Sequence, residues 1–111
     1  MANPSSISWT GSNEREDNTP YLPEERRGYH VAIVPDGAAG TPDDYIRFSA
    51  ISQSYDYTMP LSELANPLTE GSYQVYLQDE DVDGRKSVWS APIAISWVTA
   101  NPKPPTGLIA S

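Results

Sequence analysis

Apolar side chains recur at every second position in several short segments of the chain. Residues 6–10 (SISWT) alternate in this way, and residues 28–34 (GYHVAIV) place Tyr29, Val31 and Ile33 on one face. Such alternation is typical of half-buried β-strands, in which successive side chains point to opposite sides of the sheet. Because segment 28–34 is rich in β-branched and aromatic residues, it is the strongest predicted strand.

Four later segments show the same alternation. They are residues 45–51, 53–59, 73–78 and 88–98. We expect 45–51 to pair antiparallel with 28–34, and the last two segments to form a hairpin across the acidic turn at 79–84. Residues 60–65 hint at a helical turn that is too short to be stable alone. Six strands without an amphipathic helix predict an all-β fold, an antiparallel two-sheet β-sandwich.

The chain divides into a predicted sandwich and a tail. Its 111 residues suit a single domain. Residues 1–98 contain all six predicted strands, and residues 99–111 form a proline-rich tail or linker with a short strand-like end. Within the sandwich, residues 11–27 form a long polar loop whose mixed, net acidic charge suits solubility or a basic partner surface.

Charge and composition exclude several classes of function. Lys and Arg number 7 and Asp and Glu number 15, which gives a net charge of −8. A negatively charged protein does not neutralise the phosphates of a nucleic acid, so we expect no nucleic-acid partner. The chain has no cysteine, so disulfides and thiolate chemistry are excluded. No run of about 18 apolar residues is present and the opening MANP does not resemble a signal peptide, so we expect neither a membrane partner nor self-export.

An acidic motif is the only candidate metal site. Asp79, Asp81, Asp83 and Gly84 match the D-x-D-x-D-G opening of a calcium loop. The twelfth position, where a bidentate glutamate should stand, is Ser90, and no flanking helix is predicted. The alternative is a plain acidic hairpin whose Asp-Gly pair makes the turn. We therefore expect no metal and no cofactor, and keep the three aspartates as a weak candidate.

Aromatic residues suggest a second kind of binding. Trp9 and Trp97 share strand faces with isoleucines and are expected in the core. Tyr21, Tyr45 and Tyr76 are expected to be exposed and to face a ligand, with carbohydrate as a candidate because aromatic rings stack on sugar rings. A carbohydrate platform needs at least two coplanar rings, and the sequence does not show whether these tyrosines come together.

The sequence gives little support for catalysis. His30, the only histidine, lies within a predicted strand without a nucleophile motif such as G-x-S-x-G, so a sheet-face histidine is the default interpretation. The acidic clusters at 14–17 and 24–25 are typical of solvated surfaces. A small sandwich also leaves little room for a pocket of about 300–1,000 Å³. We expect a non-enzymatic protein with no catalytic residue.

Several segments resemble fibronectin type III domains of the bacterial and phage type. Residues 8–10 (SWT), 16–22 (EDNTPYL) and 28–31 (GYHV) are similar to that family's second and third strands, with Trp9 on the second strand. Residues 68–75 (LTEGSYQV) are similar to the turn into its sixth strand. The acidic hairpin and last strand match at Asp79, Gly84, Ser87 and residues 90–92. The resemblance covers residues 5–98 and implies that Tyr73 anchors a corner by hydrogen bonding to upstream backbone.

The chain departs from that family at both ends. The first strand is missing before the Trp-bearing strand, and residues 102–111 (PKPPTGLIAS) resemble such an opening strand displaced to the C-terminus. Three interpretations compete. The tail folds back as a permuted strand, pairs with an exposed sheet edge of a neighbouring subunit, or begins the next domain of a longer chain. Under the second interpretation the strand is donated by Gly107, Leu108, Ile109 and Ala110, with Leu108 or Ile109 filling a pocket.

Together these features favour a non-catalytic structural or interaction module. The resemblance implies a virion component of a tailed phage, on the capsid surface or in the tail, whose partners are other protein subunits. The alternative is an accessory spacer or carbohydrate-binding module of a secreted bacterial enzyme or adhesin, extracellular as part of a longer chain. In that case residues 99–106 would be a semi-rigid linker between domains.

Overall fold

Six β-strands make up the regular structure of residues 3–110, which a computed structural model describes. They are β1 (Ser6–Thr10), β2 (Arg26–Pro35), β3 (Ile46–Ile51), β4 (Asp56–Pro60), β5 (Gly71–Asp81) and β6 (Ile93–Trp97). Short 3-10 turns occupy Pro23–Glu25, Pro42–Tyr45 and Leu61–Glu63. The described range contains no α-helix, and so no helix that could cross a membrane. The all-β prediction is confirmed.

The strands form two antiparallel sheets. One sheet pairs β1 with β4, and the other has the order β3-β2-β5-β6. The predicted pairing of 28–34 with 45–51 is the β2–β3 ladder. The predicted C-terminal hairpin is the β5–β6 ladder, but β5 continues to Asp81, inside the predicted turn at 79–84, and β6 covers only Ile93–Trp97 of the predicted 88–98. The two-sheet sandwich predicted from the alternation is therefore confirmed.

The core lies between the two sheets. Tyr29, Val31 and Ile33 of β2 are almost completely buried, as their shared face predicts. Ile7 of β1 and Met59 of β4 cover them from the smaller sheet. Each such aliphatic side chain contributes about 1.5–3 kcal/mol when it is fully removed from water. Burial of alternate residues on facing strands thus supplies the main stabilisation of the sandwich.

Aromatic side chains extend this core. Trp9 stacks on Tyr57, with ring centroids 5.1 Å apart, and meets the edge of Tyr29 at 5.4 Å. Trp9 and Trp97 pack against the core but stay partly exposed. Tyr73 is buried on β5, and its hydroxyl donates to the Thr69 carbonyl oxygen at 2.6 Å, the upstream backbone contact expected of a corner tyrosine.

Strand β2 differs from its predicted extent at its N-terminal end. It begins at Arg26 rather than Gly28, and a bulge lies between these two residues in the ladder with β5. Because of the extra residue, Arg26 lies opposite Asp81 and Tyr29 lies opposite Asp79, and both β2 side chains are buried. The bulge therefore directs the charged side chain of Arg26 toward the interior of the molecule.

The same region brings β2 and β3 unusually close. A Cβ atom on Gly28 would overlap the Ala50 carbonyl oxygen. Only glycine fits at this position with the β3 backbone where it is. The edge strand β3 is thus held against β2 at a point where no side chain separates them.

The tail lies clear of both sheets. The Asn3 side chain donates to the Val98 carbonyl oxygen and accepts from the Val98 N–H, both at 2.8 Å, where β6 ends. Beyond this point residues 99–110 are exposed and contain no strand. The radius of gyration is 18.4 Å, against about 13 Å for a compact chain of this size. Of the three interpretations of the tail, folding back as a permuted strand is not what the structure shows.

Candidate functional site

Arg26 is the centre of a buried polar cluster at one end of the sandwich. Its side chain is 2% exposed. The guanidinium Nε donates to Asp79 Oδ2 at 3.1 Å, and a terminal nitrogen donates to the Ser12 carbonyl oxygen. A buried charge is stable only when it is paired and hydrogen-bonded. Arg26 therefore ties the long loop before β2 to strand β5.

Two tyrosine rings contact this guanidinium. Its carbon lies 4.8 Å from the ring centroid of Tyr21 and 5.3 Å from that of Tyr29, within the range of cation–π attraction. The Arg15 guanidinium lies 4.9 Å from the Tyr21 ring. Tyr21 thus joins two arginines and fastens the loop that carries it.

The expected exposure of Tyr21 is wrong. Its side chain is buried at 8% exposure, and its hydroxyl donates to Asp79 Oδ1 at 2.9 Å. Burial raises the pKa of this hydroxyl, and the hydrogen bond to the Asp79 carboxylate raises it further. The ring is covered because Arg15 and Arg26 hold it against the sheet, which a loop tyrosine in a polar sequence does not reveal.

Asp81 joins the hairpin after β5 to the same loop. Its buried carboxylate accepts from Arg15 Nη1 and Arg85 Nε, each at 2.9 Å, and from the backbone N–H groups of Asp83 and Arg85. Burial alone would raise the pKa of Asp81, but these hydrogen bonds outweigh it and hold the pKa below the usual aspartate range. The carboxylate is therefore an ionised structural anchor.

The three candidate calcium ligands are all engaged by arginine side chains. Asp79 pairs with Arg26 and Asp81 with Arg85, while Asp83 accepts from Arg85 Nη2 at 2.9 Å. No group of three or more His, Cys, Asp or Glu side chains within residues 3–110 is arranged to hold a metal ion. The turn itself is made by Gly84, whose φ is +84° and whose N–H donates to the Asp81 carbonyl oxygen.

A cleft of about 940 Å³ lies beside this cluster, between the long loop and the hairpin. Acidic Glu14 and Asp17 line one part of it, and Arg85 and Lys86 line another. The sequence predicted little room for a pocket of ligand size, and that expectation is wrong. The space lies between two surface segments instead of inside the sandwich, so counting core residues could not reveal it.

The other two candidate tyrosines do not form a platform. Tyr45 is half-buried and its hydroxyl donates to the Ala39 carbonyl oxygen at 2.6 Å. Tyr76 is also half-buried, on β5. Neither takes part in the ring pairs found among the described residues, which join Trp9, Tyr29, Phe48 and Tyr57. The structure therefore does not bring the three predicted ligand-facing rings together.

His30 links three strands of the larger sheet. Its Nδ1 lies 2.7 Å from Ser49 Oγ on β3, and its Nε2 lies 2.7 Å from Glu80 Oε1 on β5. The order of serine, histidine and acid resembles a catalytic triad. His30 and Ser49 line neither this cleft nor the groove described next. The contact joins neighbouring strands.

A second, apolar groove opens where the two-stranded sheet falls short of the four-stranded sheet. Its volume is about 210 Å³. The side chains that line it include Ile7, Trp9, Val31, Val75, Leu77 and Ile93. Small-molecule sites are usually about 300–1,000 Å³, so this groove suits one or two side chains better than a free ligand. It lies along β1, whose only partner in the described range is β4.

Within residues 3–110, the outer edge of β1 has backbone groups that pair with no other strand. The N–H of Leu61 donates to the Ser5 carbonyl, and the N–H of Gly11 donates to the Tyr55 carbonyl. Because hydrogen-bonded positions alternate along an antiparallel pair, Ile7 and Trp9 also bond toward β4. The N–H and C=O groups of Ser6, Ser8 and Thr10 therefore point away from β4, toward the open edge.

The four candidate donor residues lie on the projecting tail. Leu108 is 98% exposed and Ile109 is 87% exposed, and Gly107 and Ala110 are exposed as well. The structure places none of them against a strand. Leu108 and Ile109 therefore leave two adjacent branched aliphatic side chains in contact with water.

Comparisons of the chain with protein-family models, with curated proteins and with solved structures each return no match.

Proposed function

We propose that the chain is a non-catalytic structural module of the fibronectin type III kind, which assembles with other protein subunits by donating its C-terminal strand. The strand pairing supports this proposal. If β1, β2 and β5 correspond to the second, third and sixth strands of such a domain, then β1 should pair with β4, and β2, β5 and β6 should lie side by side. The observed sheets have this order.

The exposed end of the tail is the observation that carries the proposal. Leu108 and Ile109 are apolar, almost fully exposed and carried on a segment that contains Pro102, Pro104 and Pro105. Such prolines keep a segment extended and semi-rigid. An extended apolar segment held away from its own domain is suited to adding a strand to another sheet, where backbone hydrogen bonds supply affinity.

The virion is the proposed setting. This part of the proposal is supported by resemblance to phage domains, which is an argument by analogy. The polar cluster is compatible with a structural role, because Asp79 and Asp81 already accept hydrogen bonds from arginines. The rival role is that of a spacer or sugar-binding module in a longer secreted chain.

Light scattering of the full chain and of a version ending at Ala100 tests the proposal. We expect the full chain to show a mass that rises with concentration above 12.2 kDa, and the truncated chain to stay monomeric. The truncation should leave the melting temperature of the monomer unchanged, because residues 101–110 are exposed and pair with no strand. If both chains have the same mass at every concentration, strand donation between copies is wrong and the spacer role is favoured.

A further inference from the structure

We infer that the tail of one copy binds the free edge of β1 in a second copy, with Leu108 or Ile109 seated in the adjacent apolar groove. This inference rests on the proposed function and adds to it the acceptor surface. In the part of the chain that the structure describes, the outer edge of β1 has no partner strand, and the strand-like end of the tail pairs with no sheet.

The acceptor edge is suited to a strand. The backbone groups of Ser6, Ser8 and Thr10 point outward, as the hydrogen bonds at Ser5 and Gly11 require. A five-residue edge of this kind pairs with a segment as short as 106–110. Since unpaired strand edges are templates for other chains, this edge needs a cover.

The groove is suited to the side chains of the tail. Ile93 is half-exposed at its rim, and Val75 and Leu77 lie on β5 below. In a strand, alternate side chains face the same side, so either Leu108 or Ile109 would enter the groove while the other stays outside. Burial of this one aliphatic side chain in the groove would favour binding of the tail, because apolar surface is removed from water.

Charge also favours this occupant. Lys103 is the only charged side chain from residue 99 to the end, so the side chains of the tail carry +1 and those of the rest of the chain carry −8 − 1 = −9. The Lys103 ammonium group is therefore attracted to the acidic body of another copy. The attraction is weakened by salt, because the charges are exposed.

A second copy is a better acceptor than the chain itself. Asn3 holds Val98 through two hydrogen bonds at the end of β6, and the proline-rich segment that follows leads away from the sheets. The molecule is 72 Å long but only 32 Å and 24 Å across. Exchange of tails between two copies satisfies both edges.

Three full-length variants and one control test this inference. Leu108→Asp with Ile109→Asp disables the donor. Ser8→Pro removes an outward N–H, which edge strands tolerate but strand addition does not. Ser8→Ala is its matched control, because both changes remove the Ser8 hydroxyl that contacts Thr58, and only proline removes the N–H. Ile93→Arg fills the groove from its half-exposed rim and keeps the test valid if Ser8→Pro fails to fold by circular dichroism.

Light scattering should give about twice the monomer mass for the wild type and for Ser8→Ala, and the monomer mass for the donor variant and both acceptor variants. An equimolar mixture of the donor variant with either acceptor variant should restore a one-to-one complex, because one partner has an intact groove and the other an intact tail. This complex should dissociate at a higher concentration than the wild-type dimer, since it has one docked tail instead of two.

Other outcomes separate the inference from the proposed function. Association that is lost in the donor variant but retained in folded Ser8→Pro and Ile93→Arg would place the acceptor elsewhere, which overturns the inference and leaves strand donation intact. A wild type that stays monomeric at millimolar concentration overturns both. Association that survives in the donor variant also overturns both, because the tail is then not the contact.

Discussion

Replacement of Arg26 by alanine is the sharpest test of the polar cluster. The change removes the ion pair with Asp79, the hydrogen bond to the Ser12 carbonyl and the contacts with two tyrosine rings. Asp79 remains mostly buried and keeps the Tyr21 hydroxyl as a donor. In the variant, the Asp79 carboxylate keeps the neutral Tyr21 hydroxyl as a donor, but no guanidinium compensates its charge.

The expected cost follows from the burial of this pair. Removal of one partner of a buried ion pair costs about 3–5 kcal/mol, because the other charge is left without compensation. The total stability of a domain is about 5–15 kcal/mol. Since each kcal/mol lowers the melting temperature of a domain of nearly this size by about 4–8 °C, we expect Arg26→Ala to lower it by at least about 12 °C.

Urea and thermal unfolding followed by circular dichroism measure this cost. The matched control is Arg27→Ala, because Arg27 is exposed and its nearest contact with Glu80 is 3.5 Å, so its loss should cost at most about 1 kcal/mol. Replacement of both Arg26 and Asp79 by methionine should recover much of the loss, since no charge is then left unpaired. If Arg26→Ala costs no more than Arg27→Ala, the cluster around Arg26 does not hold the loop against β5.

Two further predictions concern neighbouring contacts. The depressed pKa of Asp81 means that its ionised form stabilises the fold above about pH 4, and that this stabilisation disappears as the pH falls through the folded-state pKa. The difference in urea midpoint between wild type and Asp81→Asn should therefore be constant from pH 6 to pH 8 and shrink in strong acid; a difference that persists at pH 1 would contradict this. Tyr73→Phe removes the hydroxyl bonded to Thr69 and should cost about 0.5–1.5 kcal/mol in urea unfolding. The half-exposed control Tyr76→Phe should change stability by less than about 0.5 kcal/mol, and equal losses at both positions would argue against the corner.

The strands could be predicted from the sequence because their signal is local. The alternation in 6–10 and 28–34 marks the face that carries Ile7 on β1 and Tyr29, Val31 and Ile33 on β2, all of which are buried. Ala32, on the opposite face of β2, is buried as well. Strand ends were less predictable. The bulge that begins β2 at Arg26 depends on pairing with β5, far along the chain.

The candidate sites depend on contacts between distant residues. A run of Glu24, Glu25, Arg26 and Arg27 is typical of a solvated surface, yet Arg26 is buried because Asp79 and two tyrosines surround it. The groove has a different origin, because it lies where the two-stranded sheet leaves part of the four-stranded sheet uncovered. The missing first strand was the one sequence signal for the groove. The alternation of apolar residues alone could not show which sheet edge would be open.

The arginine and tyrosine contacts around Arg26 do for the long loop what a disulfide does in many small extracellular domains. They join Ser12, in that loop, to Asp79 on β5 without any cysteine. Because no sulfur is oxidised or reduced in making this connection, the loop is fastened equally well in a reducing cell interior and in oxidising surroundings.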